Sequence, residues 1–226
     1  MKQQQSGFTL IEIAIVLVII GLLLGGILKG QELITNARVR NLISQQDGIK
    51  AAFFGFQDRY RALPGDYTLA TTNIPGITTP NAACNGGNGA GNGQVNNTNA
   101  ENVLAWEHLS KAGFITGNYT CAAVPESITS APTNPYTRFY QLIYDNVYAD
   151  PGTAVARHNI KTGNLVPSDI LAEVDRKVDD GNALNGTFRF SNYGGQTGAP
   201  AITTTCHTAG VWTIPAATDC GGVSLF

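Results

Sequence analysis

Charge is scarce in this chain. Asp, Glu, Lys and Arg make up 13% of its 226 residues, and the formal net charge is −2. That balance is too small to argue for a nucleic-acid partner or an acidic ligand. Histidine is scarcer: His108, His158 and His207 lie far apart, and Cys84, Cys121, Cys206 and Cys220 form no C-x-x-C pair. Structural zinc sites use recognisable Cys/His spacings, so zinc is not indicated, and His207 beside Cys206 reads as an exposed histidine next to a disulfide. Neither H-E-x-x-H nor G-x-S-x-G occurs, and no Cys–His arrangement marks a nucleophile, so the chain is read as a non-enzyme. Proline is missing from Lys29 to Leu63 and from the apolar segment before it. Nothing over that stretch forces a helix to break.

Apolar residues concentrate between Leu10 and Leu28, where Glu12 is the only ionisable side chain. The run is about the ~20 residues needed to cross a bilayer. Lys2 precedes it and Lys29 follows it, a weak orientation signal. The rest is rich in Gly, Asn, Thr and Ala, enough for one globular domain. A secretory signal is cut after its apolar region. Here the plausible leader, "MKQQQSG", lies before it, and a cut after Gly7 would leave the apolar segment on a mature chain starting at Phe8.

Glu12 needs a reason. A carboxylate in mid-membrane costs about 2.5–3.5 kcal/mol on insertion scales, so it should be protonated or paired. No cation of its own helix lies within one turn. A freed amine on Phe8 would lie one turn away, able to serve Glu12 in cis or the Glu12 of a neighbouring helix in trans. A partner from another subunit would make the buried charge a registry device for assembly.

The stretch "SGFTLIEIAIVLVIIGLLLGGIL" resembles the processing and methylation motif of type IV prepilins and type II secretion pseudopilins. The resemblance implies cleavage by a prepilin peptidase after Gly7, methylation of the new N-terminus on Phe8, and an assembly role for Glu12. It implies a homo- or hetero-polymer with other pilins. The uncleaved chain would sit single-pass in the inner membrane and the product in an extracellular or periplasmic filament. An inner-membrane assembly platform and a separate assembly ATPase would be further partners. Many pilins carry a proline about two-thirds along the apolar segment. Here Gly21, Gly25, Gly26 and Gly30 stand instead, in two G-x-x-x-G spacings that suit close helix packing or an extensible segment. "AWEHLSKAGFI" and "VDRKVDDG" also resemble segments of longer prepilin-like proteins, without suggesting an activity. The mature chain is long for a major pilin. Pilus subunit is the first reading; type II secretion pseudopilin or minor pilin is the alternative, and a membrane-anchored binding domain or enzyme the rival.

The expected fold is α+β and pilin-like: a long N-terminal helix on a small antiparallel sheet, with extra short helices and long loops. Its parts are a leader (1–7), an assembly half of the helix (8–28), an amphipathic half (29–63) and a globular domain (64–226). Val39, Leu42, Ile49, Phe53, Phe56 and Tyr60 form one stripe. A helix from about Thr9 to Ala62, ended by Pro64-Gly65, would be on the order of 80 Å long. Its Phe53/Phe56/Tyr60 stripe would lie on the sheet. Arg38, Arg40, Lys50, Arg59 and Arg61 read as a solvated face or subunit contacts, since Glu32, Asp47 and Asp58 interleave with them.

Residues 62–100 read as a long surface loop. Within it "GGNGAGNGQ" faintly echoes a calcium-binding nonapeptide but has Gly91 where the aspartate belongs, and no apolar strand precedes it as a phosphate loop would require. Thr98 and Glu101 have capping-box spacing; Val103, Trp106 and Leu109 share a face, Gly113 is a stop, and His108 is expected in solvent. A second helix is capped by Ser168, steps through Ile170, Val174 and Val178, and ends at Gly181. Strands are expected at Thr137–Tyr144, Gly186–Tyr193, Ala201–Cys206 and Gly210–Ile214. Asp175, Asp179 and Asp180, followed by Asn182 and Asn185, are the best metal candidates, for calcium, although Asp-Asp-Gly is also a plain helix ending. No other cofactor is indicated. An even cysteine count behind a membrane segment fits an oxidising compartment. Three connectivities exist; Cys84–Cys121 and Cys206–Cys220 are preferred because each closes a local loop. The latter would resemble a pilin's C-terminal disulfide region.

Overall fold

The computed structural model describes residues 9–77, 82–97, 99–121, 127–195 and 205–226. The chain divides into two compact units, Met1–Arg38 and Val39–Phe226. One helix, α1 (Leu10–Tyr60), runs unbroken through the boundary. No proline interrupts it, and glycine alone costs a helix only about 1 kcal/mol per residue. Arg61, in the left-handed region at φ 54°, ends it ahead of Pro64-Gly65.

In the second unit α1 buries Val39, Leu42, Ile49, Phe53 and Phe56 along one face, and leaves Tyr60 half-buried. The sheet they help to cover has order β1 (Gln141–Asp145), β2 (Arg157–Lys161), β6 (Gly222–Leu225) and β3 (Phe188–Phe190), every pair antiparallel. A two-stranded ribbon pairs β4 (His207–Thr208) with β5 (Val211–Trp212). Three further helices are α2 (Ala70–Asn73), α3 (Glu101–Lys111) and α4 (Ser168–Val178), with a 3-10 turn at Ala82–Gly87. This is an α+β, pilin-like layout.

The aromatic stripe does not lie wholly on the sheet. The Phe53 ring meets His158 of β2 and Phe226, at 5.5 and 5.0 Å between centroids. Phe56 instead packs on His108 of α3, Tyr67 and Phe114. Of the four expected strands, two shrink to β1 and β3 and one to β5. Residues 201–204 of the fourth lie outside the described residues. Two central strands were not expected. β2 reads Arg-His-Asn-Ile-Lys, yet Asn159 and Lys161 are buried because Asp145 on β1 accepts from both side chains: 2.5 Å to Lys161 Nζ and 3.0 Å to Asn159 Nδ2. β6 is four residues long and puts polar Ser224 in the interior. Arg38, Arg40, Arg59 and Arg61 are exposed and Lys50 is half-buried.

His108 is not solvated. Residues Glu101 to Leu109 of α3 are buried without a break, because α1, the 64–97 segment and β1 close around the helix. The Gly65 N–H donates to His108 Nδ1 (3.0 Å), which leaves the proton on Nε2 to reach the Gly87 carbonyl (3.0 Å). Burial pushes its pKa down to about 4. Ser168 does not cap α4: Pro167 holds the N-cap position, and the Ser168 hydroxyl donates to the Thr213 carbonyl and accepts from the Ala217 N–H. Val178, at the end of the α4 stripe, is exposed, and Gly181 follows with φ 78°. Thr98 lies outside the described residues. Glu101 accepts from the Ala90 and Asn96 N–H groups.

A histidine whose folded pKa is depressed supports stability above its unfolded value and withdraws that support as pH falls toward its folded value. His108 should therefore destabilise the protein as pH drops from about 6.5 toward about 4. Thermal melts of the detergent-solubilised chain should show this acid loss, and His108→Gln should flatten it across the same window.

Candidate assembly site

Every residue from Thr9 to Lys29 is exposed. The most apolar 18-residue window of α1 has a mean hydropathy of 2.9, and none of it is buried within the chain. This is the one helix, among the described residues, long and apolar enough to cross a membrane. Gly7 and Phe8 lie outside the described residues. At Gly21, Gly25, Gly26 and Gly30 an added Cβ would meet open space, so the two G-x-x-x-G faces have no partner among the described residues. Beyond them, Lys29 and Glu32 form an exposed pair at 2.7 Å.

Glu12 sits in the first turn of α1, where a carboxylate faces the positive end of the helix dipole. Its Oε2 accepts both the Thr9 backbone N–H and the Thr9 hydroxyl, each at 2.8 Å. In return the Glu12 N–H donates to Thr9 Oγ1 at 3.3 Å. This is a reciprocal capping box, which satisfies helix-end donors that lipid could not. Thr9 was missed from sequence, although Thr-x-x-Glu is readable as a cap. Both partners use Oε2, so Oε1 is the oxygen left to meet a cation from outside the helix.

Two other arrangements bear on further sequence features. Asp66 is buried, and its carboxylate accepts the N–H groups of Gly91 (2.6 Å), Asn92 (3.0 Å) and Gly93 (2.7 Å). The glycine-rich loop is thus an anion nest filled by a side chain of its own protein. A Cβ at Gly89 would strike the Asp66 backbone at 2.2 Å, which is why the loop needs glycine there.

Asp175, Asp179 and Asp180 do converge, with one carboxylate oxygen from each within 4.8 Å of the others. Four of their six oxygens already have donors: both of Asp175, Oδ2 of Asp179 and Oδ1 of Asp180. Asp175 takes Trp212 Nε1 (2.7 Å) and the Gly181 N–H (3.2 Å). Asp179 takes the N–H groups of Thr187 and Phe188, and Asp180 that of Asn182. Burial, with the two neighbouring carboxylates, raises Asp175 to about 6 against the donors that would lower it.

Cys84 pairs with Cys121 and Cys206 with Cys220. The first bridge anchors a small apolar cluster of Ala100, Val103 and Leu104. His207 is half-buried on β4, its ring centroid 5.0 Å from that of Phe190.

Losing an N-cap costs about 0.5–2 kcal/mol. Thr9→Ala should therefore speed amide exchange in the first turn of α1 in micelles, and Thr9→Ser should leave it unchanged.

No curated protein and no solved structure gives a significant match to the chain. A family model matches at the N-terminus: residues 2–28 carry the prokaryotic N-terminal methylation motif, the signature of type IV prepilins and pseudopilins.

Proposed function

We propose that the chain is a structural subunit of a type IV pilus. A prepilin peptidase cuts between Gly7 and Phe8 and methylates Phe8. The product polymerises through the first half of α1. The observation that carries this reading is an apolar helix that none of the described residues covers, with a single carboxylate at its start. In the precursor, lipid covers the helix. In the polymer, the helices of other copies replace lipid, and close approach is easiest along the bare glycine faces. Glu12 stays capped by Thr9 through Oε2 and receives the Phe8 amine of a neighbour on Oε1, which sets the register between copies. Assembly draws on an inner-membrane platform and a separate ATPase. A type II secretion pseudopilus subunit or a minor pilin would use the same machinery and is the second reading.

Mass spectrometry of the mature N-terminus should find methylated Phe8; an intact Met1, or a cut after Leu28, would overturn the proposal. Glu12→Ala should abolish or strongly reduce filaments in electron micrographs while the precursor still accumulates in the membrane. Filaments of normal number and length would remove the proposed pairing.

Calcium at Asp175, Asp179 and Asp180 would have to compete with N–H donors at both oxygens of Asp175, the best buried of the three. We therefore expect chelator to leave the melting temperature unchanged. A calcium-dependent rise, lost in Asp179→Asn, would make the cluster a metal site.

A further inference from the structure

The chain contains four Asn-Gly pairs: Asn85-Gly86, Asn88-Gly89, Asn92-Gly93 and Asn185-Gly186. Such a pair is chemically labile, because no side chain shields the asparagine amide carbon from the next backbone nitrogen. The fold treats the four differently. Asn88 is held at both ends of its amide: Oδ1 accepts the Thr71 N–H (3.0 Å) and Nδ2 donates to Thr71 Oγ1 (3.1 Å). The nitrogen that would attack it, that of Gly89, donates to the Tyr67 carbonyl at 2.9 Å. Asn92 Oδ1 accepts the Gln94 N–H (2.9 Å), and the Gly93 nitrogen donates to Asp66 at 2.7 Å. Asn85 sits at the kink within 82–87, in the left-handed region at φ 47° and next to the Cys84 disulfide, its Nδ2 donating to the Asn88 carbonyl (3.0 Å).

Asn185 has no such restraint. Its backbone N–H donates to the Asn182 carbonyl (3.1 Å), but its side-chain amide and the Gly186 N–H make no hydrogen bond among the described residues. The pair lies in a half-buried turn between α4 and β3, with Gly186 at φ 71°.

We propose that Asn185 is a site of spontaneous covalent modification, at which the side-chain amide becomes a carboxylate. The Gly186 nitrogen attacks Asn185 Cγ and gives up its proton. The Cγ–Nδ2 bond breaks, and Nδ2 leaves as ammonia with that proton, closing a five-membered succinimide. Water then adds to either ring carbonyl and yields aspartate or isoaspartate at this position. The step needs no enzyme, oxidant or metal.

The product matters because of where it forms. The Asp179 carboxylate lies directly against Gly186 and accepts the N–H groups of Thr187 and Phe188, which lead into edge strand β3. A new carboxylate there stands one residue before the Gly186 that abuts Asp179. The isoaspartate form also inserts a methylene into the backbone just ahead of β3.

The test is peptide mapping by mass spectrometry of the full chain, incubated in mildly alkaline buffer. In the folded protein Asn185 should convert several-fold faster than Asn88 and Asn92. In urea with the disulfides reduced, that difference should vanish, because all four pairs then have the same local chemistry. If Asn88 or Asn92 converts as fast as Asn185 in the folded protein, or Asn185 stays intact while the others react, the proposal is wrong.

Discussion

A helix surface that none of the described residues covers is the constraint from which the other features follow. Apolar area left in water costs roughly 25 cal/mol per Å², and from Thr9 to Lys29 every residue is exposed. Such a surface must be met by lipid or by another protein. Everything polar near its start then has to be satisfied inside the helix, and the Thr9–Glu12 box does so with two side chains of one turn. The same segment carries the methylation motif, so the physical demand and the family signature fall on the same residues.

From Val39 onward the helix has a different task. Its apolar stripe is covered by the chain itself, and the cover is divided. Phe53 belongs to the sheet and Phe56 to α3. This division buries α3 on all sides, and it also explains the neutral, doubly bonded histidine at its centre. A ring that both accepts from Gly65 and donates to Gly87 ties the turn after α1 to the 3-10 turn. Two ion pairs, Lys161–Asp145 with a buried lysine and the half-buried Arg189–Asp150, play a comparable part in holding the β1–β2 connection and β3.

Long periodic signals were legible in the sequence, and so was the broad class. The helix over Leu10–Tyr60, its stripe, the core position of Trp106 and the stop at Gly113 all rest on spacing that neighbours in sequence decide. Both disulfides agree with the rule that local loops close first. What failed was decided by distant contacts. β2 is polar by composition and is buried only because Asp145 answers Lys161 and Asn159. His108 is buried because three separate segments close over it, and no pattern within α3 announces that. Ser168 has cap chemistry, but Thr213 and Ala217, far along the chain, claim its hydroxyl. At the candidate assembly site Glu12 stood out by its chemistry, whereas Thr9 was legible by spacing and passed over. The glycine loop could not be interpreted without Asp66, 25 residues upstream of Gly91.

The Cys84–Cys121 bridge encloses 37 positions of separation, and most of the loop-rich part of the second unit lies within or beside it. In the chain-entropy view, closing a loop of that size removes about 3–4 kcal/mol of disorder from the unfolded chain. It has a second consequence. A protease that nicks the exposed Ala90–Gln94 stretch leaves both fragments covalently joined, so damage there does not release a piece of the chain.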